Sequence, residues 1–222
     1  MDMIHATCSP FESPLRHGAH PARRRLWLGT LRIVTFWLGL AGFLPAAEEF
    51  CLLIEPKDGP PVRQIIKGAK MTALVPGKET SVGGVRYYTA SEFEAMGLGW
   101  RGFTRKAEAA ATRVWATLKP EVTKDAKGFV RSALIRGKSH LTASAVLSPK
   151  FYEEFRATMG DDLILLIPDR FTIHVFPRPM GEYKSWGPKI LESYAEAAHP
   201  VSHEVLLLNK DGLSVLGSFR TE

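Results

Sequence analysis

Asp169 and Arg170, followed by His174, are the side chains whose types and spacing best suit ligand binding. An arginine at the tip of a hairpin can bind a carboxylate or a phosphate through paired hydrogen bonds, and His174 lies on the returning strand. The run Pro168-Asp169-Arg170 equally suits an ordinary turn. Ser132, Ser139, Ser144 and Ser148 lie near His140, and His174, His199 and His203 follow. Serine hydrolysis built on a nucleophile elbow needs Gly-x-Ser-x-Gly between a strand and a helix, and no serine here has that setting. Ser148 is better read as a helix cap and Ser144 as a packing choice. His199 and His203 have the four-residue spacing of a helical metal site. Pro200 between them breaks such a helix, so no metal is expected. Glu153-Glu154 and Asp161-Asp162 read as solvated charge, because sequence neighbours on a helix do not face each other. The glycines at 97, 99 and 102 have no strand directly ahead of them, so no phosphate-cradling loop is read there, and no cofactor is expected. Cys51, inside the apolar run Phe50-Cys51-Leu52-Leu53-Ile54, reads as a buried inert thiol.

The elements that would position these groups follow from periodicity. Residues 50–55 and Val85 to Tyr88 read as strands. Thr89 and Glu92 form a capping box, which predicts a short helix to Met96 with Gly97 just past its end. Phe103, Ala107, Ala110, Ala111, Val114, Trp115 and Leu118 recur at three- and four-residue steps, which predicts a long helix stopped by Pro120. Val122 to Gly128 reads as a polar loop. Phe129 to Ile135 reads as a strand, and Leu141 to Leu147 as another or as an extended segment. Ser148-Pro149 opens a helix presenting Phe151, Tyr152, Phe155 and Met159. Leu163 to Ile167 reads as a strand buried on both faces, forming an antiparallel hairpin with Phe171 to Phe176. A helix after Pro188 and a last strand pair, Val205 to Leu208 and Leu213 to Leu216 around Asn209-Lys210-Asp211-Gly212, complete the chain. The expected fold is α+β: a single domain of antiparallel hairpins packed against three or four helices. The stretch from Val62 to Val75 is mixed and carries no assignment.

Ahead of this domain the pattern changes. Arg23-Arg24-Arg25 precedes an apolar stretch, then Pro45-Ala46-Ala47, the order of a secretory signal. The uncharged run from Ile33 to Leu44 is short of the roughly 20 residues that span a bilayer. Extending it back to Leu26 includes Arg32. A cleaved signal and an uncleaved anchor over residues 26–47 are therefore both open. The predicted organisation is a disordered extension over 1–22, a signal peptide or anchor over 23–47, and one α+β domain over 48–222. Of the net charge of +6, half lies in residues 1–47, which hold five arginines against Asp2 and Glu12. The remainder is too small to argue for a nucleic-acid partner. The membrane, reached through the amino-terminal segment, is the partner that is expected, and the destination is either export or the cytoplasmic membrane.

Three stretches carry a family resemblance. Arg86-Tyr87-Tyr88-Thr89, with Phe93 and Gly97-Leu98, opens a strand and helix before a long alanine-rich helix. Ala143-Ser144-Ala145-Val146-Leu147-Ser148 precedes another helix. Asp162 to Arg170 is followed by a helix and by His199-Pro200-Val201-Ser202. In that order they resemble the bacterial domain of unknown function 1444 family over roughly residues 80–216. The membrane leader and a shortened segment before residue 80 depart from that family. The resemblance implies an α+β fold and brings no activity with it. The function expected is a non-catalytic binding or structural module, exported or anchored. The alternative is an enzyme of hydrolase type whose Ser, His and Arg residues converge from distant positions.

Overall fold

The computed structural model describes residues 50–80 and 82–220, so the predicted extension and targeting segment, 1–47, lie outside the described residues. In chain order the strands and helices are β1 (Phe50–Pro56), β2 (Gln64–Ile65), β3 (Thr72–Glu79), β4 (Val85–Tyr87), α1 (Ala90–Ala95), α2 (Gly99–Thr117), β5 (Glu121–Lys124), β6 (Val130–Arg136), α3 (Pro149–Met159), β7 (Leu163–Asp169), β8 (Thr172–Pro177), α4 (Gly187–Glu196), β9 (Glu204–Asn209) and β10 (Gly212–Ser218). The fold is α+β, with antiparallel strand pairs and four α-helices among the described residues.

The strands form two sheets. In the first, β3 is central: β1 pairs along one edge, while β2 and β4 share the other at its two ends. Gly77 lies where β1 and β4 both flank β3, and a Cβ there would come within 2.9 Å of the Leu53 side chain and 3.0 Å of Val85. The second sheet has the order β10-β9-β7-β8-β6-β5. A parallel bridge from Lys67 to Ser214 ties the segment after β2 to its β10 edge.

Local sequence explains much of this. The Thr89–Glu92 capping box forms reciprocally, and Gly97 follows the helix at a φ of 63°, a conformation that an L side chain rarely adopts. α2 buries Phe103, Ala107, Ala110, Ala111 and Trp115, one stripe of the predicted periodicity. Pro149 sits in the first turn of α3, although the Ser148 hydroxyl makes no cap bond and instead meets Thr112 Oγ1 at 3.0 Å. β7 is buried on both faces. On its inner side Leu163, Leu165 and Ile167 pack with Ile54, Trp115, Phe151 and Phe155. On its outer side Ile164 and Leu166 pack with Phe176, Leu207 and Ile190 of α4. Burying one such side chain is worth about 1.5–3 kcal/mol, so β7 is the apolar hub of the molecule.

Two local expectations are corrected. Val122 to Lys124, read as part of the polar loop from Val122 to Gly128, belong to the edge strand β5, whose four residues are all exposed. An edge strand needs no buried face, so its composition carries no alternation for a pattern to detect. Leu141 to Leu147, read as a strand or an extended segment, holds a buried 3₁₀ helix over Ala143–Leu147. Its alanines let a tight helix pass beneath α2, where small size matters more than β-propensity.

Candidate functional site

Arg170 occupies the two-residue turn between β7 and β8, and its backbone is held on both sides. Its N–H donates to the His199 carbonyl at 3.2 Å, and its carbonyl accepts from Ala143 at 3.0 Å. Asp169 Oδ1 accepts from the Phe171 N–H at 2.6 Å, so Asp169 closes the turn rather than facing a ligand. The Arg170 side chain then reaches across to the first sheet. Its Nε and Nη2 lie 2.9 and 3.0 Å from the two carboxylate oxygens of Glu55 on β1. Nη2 also donates to the Tyr87 hydroxyl on β4. The Glu55 side chain is 4% exposed and that of Arg170 15%. Beside them the rings of His140, Phe171 and His199 meet edge to face or tilted, with centroids 5.1–5.8 Å apart.

Electrostatics follow from burial. Burial holds the Glu55 carboxyl above its ordinary value of 4.5, against the opposing pull of the Arg170 hydrogen bond and charge. Burial and the Glu55 carboxylate raise the Tyr87 phenol. Burial, aided by His199 and Arg170, lowers His140. Because Glu55 binds its proton more tightly folded than unfolded, its contribution to stability is complete below pH 4.5 and is lost as pH rises through the higher folded value. Glu55→Gln removes that titration. The stability of wild type relative to Glu55→Gln should therefore fall as pH is raised from 4.5. Urea unfolding of both proteins at a series of pH values measures it, and a difference that rises with pH would contradict the assignment.

A second polar cluster also joins the two sheets. Glu204 on β9 is 2% exposed. Its Oε1 accepts from the backbone N–H groups of Lys70 and Met71 at 2.7 and 3.3 Å. Its Oε2 accepts from the Thr72 hydroxyl at 2.6 Å. Since the single Thr72 proton goes to the carboxylate, Ser202 donates to Thr72 across 2.6 Å and itself accepts from the Glu204 N–H at 2.9 Å. Each hydroxyl thus donates once and accepts once, a closed network.

The residues singled out from sequence are dispersed. His174 lies four residues beyond Arg170 but on the outer face of the second sheet, with its ring 4.9 Å from Trp186. Burial, with Lys189 and Arg136 nearby, brings its pKa down to about 4, so it is neutral at pH 7. His203 Nδ1 donates to the Phe219 carbonyl at 2.8 Å. Ser144 is buried in the 3₁₀ helix, and Ser139 accepts from the Leu141 N–H. Among the described residues no serine hydroxyl bonds a histidine, and no group of three His, Cys, Asp or Glu side chains could hold a metal. Cys51 is buried and forms no disulfide among the described residues. Glu55, Tyr87, Thr72, Ser202 and Glu204 carried no functional reading in the sequence. The one available signal was Glu55 itself, a carboxylate ending the apolar run of β1, where a buried acid requires a partner.

Comparison with protein-family models, curated proteins and solved structures finds no match to this chain. Among the described residues no helix is long and apolar enough to cross a membrane.

Proposed function

We propose that this protein is a binding or structural module without catalysis, exported or held at the cytoplasmic membrane by a signal peptide or anchor over residues 23–47. The observation that supports this reading is the use made of the polar groups at the sheet junction. Glu55, Arg170 and Tyr87 pair with one another, and Glu204, Thr72 and Ser202 close a network among themselves. Both clusters connect the sheets, and neither sets a nucleophile against a base. The resemblance to the domain of unknown function 1444 family is compatible with this reading and adds no reaction to it.

Two measurements test the proposal. A fluorophosphonate probe that labels activated serines should leave the full chain unlabelled. Stoichiometric labelling at one serine would replace the module reading with the hydrolase alternative. Cell fractionation with sequencing of the mature amino terminus should place the chain in the membrane or exported fraction. A full-length product free in the cytoplasm would defeat the delivery claim.

A further inference from the structure

Among the described residues, the outer face of the second sheet is only half covered. α4 and its neighbouring residues pack over β7 and β9. Over β5, β6 and β8 a cleft of about 270 Å³ remains. Its floor follows from strand register. Glu121 pairs with Leu134, and Leu134 with His174, which makes one row across three strands. Thr123 opposite Ser132 begins the next row, two residues along each strand and so on the same face. Phe176, two residues past His174, and Trp186 form the apolar wall.

Three of these side chains have hydrogen-bonding capacity that the protein does not use. His174 is 5% exposed, yet its imidazole has no hydrogen-bond partner among the described residues, although it lines the cleft. Its ring nitrogens are not among the enclosed unpartnered atoms, so they open to the cleft, where a ligand group or an ordered water can bond them. The Ser132 and Thr123 hydroxyls likewise make no side-chain hydrogen bond among the described residues. Neutral imidazole and hydroxyl groups each offer both a donor and an acceptor. No lysine or arginine lines the cleft, and the rim carboxylate of Glu121 faces Arg136 at 3.7 Å.

We infer that this cleft binds a neutral polyhydroxylated ring of monosaccharide size, an assignment that rests on the module reading above and gives it a ligand class. Sugar hydroxyls match groups that both donate and accept, and the C–H face of the ring matches the wall of Phe176 and Trp186. Lys189, over the Trp186 ring at 4.7 Å, and Arg136, at Glu121, stand beside the cleft but do not line it, so an anion would meet no cation on the floor itself. A volume near the lower end of the range for ligand pockets, about 300–1,000 Å³, limits the occupant to one ring.

The test is saturation-transfer NMR on the full chain with methyl glucoside, methyl galactoside and N-acetylglucosamine, with adenosine monophosphate as the anionic control. At least one sugar should bind saturably. Ser132→Ala, on a half-buried strand position that does not threaten folding, should weaken it roughly threefold to tenfold, the loss of one hydrogen bond. His174→Leu should weaken it further, and His174→Gln should restore part of the loss. Absence of binding to every sugar, binding unchanged in Ser132→Ala, or preference for adenosine monophosphate would each overturn the assignment. The same samples separate this from the parent reading. Release of methanol from a methyl glycoside would overturn the claim of no catalysis, whereas intact glycoside with no binding overturns the cleft alone.

Discussion

Glu204→Ala is expected to lower the free energy of unfolding by about 2 kcal/mol. The substitution leaves the Lys70 and Met71 N–H groups and the Thr72 hydroxyl facing a space that had held a carboxylate. Leaving a buried donor without its acceptor costs about 1–3 kcal/mol, and bonds to charged acceptors lie at the strong end. The Thr72 hydroxyl is buried and bears the full loss, whereas the part-buried Lys70 and Met71 N–H groups adjoin a pocket from which water can replace the carboxylate. Glu204→Gln keeps an oxygen for those two N–H groups, so it should cost roughly 1–2 kcal/mol. Urea unfolding followed by tryptophan fluorescence measures both, with an unchanged m-value confirming that the change lies in the folded state. An alanine variant within about 0.5 kcal/mol of wild type would show that the network does not hold the sheets together.

Arg170→Ala should cost about 3 kcal/mol, because removing one member of a buried ion pair leaves the other uncompensated. The elevated pKa of Glu55 moderates the loss, since the carboxyl can take up a proton once its partner is gone. Arg170→Lys should fall between wild type and alanine: an ammonium keeps the charge but cannot reproduce the contacts of Nε and Nη2 with both carboxylate oxygens and the phenol. A double-mutant cycle with Glu55→Gln should give a coupling energy of about 1–3 kcal/mol. Additive effects would mean that the contact contributes nothing beyond its parts.

The elements legible in the sequence are those set by neighbours. The capping box at Thr89 and Glu92, the alanine stripe of α2, Pro149 at the start of α3, and the hairpins of β7–β8 and β9–β10 are all short-range patterns, and each forms. β5 was illegible because pairing with β6, not its own composition, makes it a strand. β2 and the start of β3 were illegible for a similar reason: Gln64 and Ile65 gain their register from Leu74 and Ala73. The site was less legible than the fold. Arg170 was identified, but its partner stands 115 positions earlier. His174 was grouped with it because it lies on the strand that returns from the hairpin tip. The alternation of a strand begins only at Thr172, after the turn, and it carries His174 to the opposite side of the sheet. Charge pairs between strands distant in sequence leave no local trace, so the two clusters that join the sheets became visible only in three dimensions.

The clamps also set a schedule for synthesis. Thr72 and Glu204 are 132 positions apart. At a translation rate of about 5–20 residues per second, the carboxylate that the Thr72 hydroxyl needs is made roughly 7–26 s after it. β1 and β3 can pair early, since their register is local. Their apolar residues, Leu52 and Ile54 among them, meet α2 and the 3₁₀ helix first and the rest of the core, β7 and β9 included, last. During that interval the amino-terminal sheet is held by its own strand pairing and by α2, without the carboxylate that later fixes Thr72.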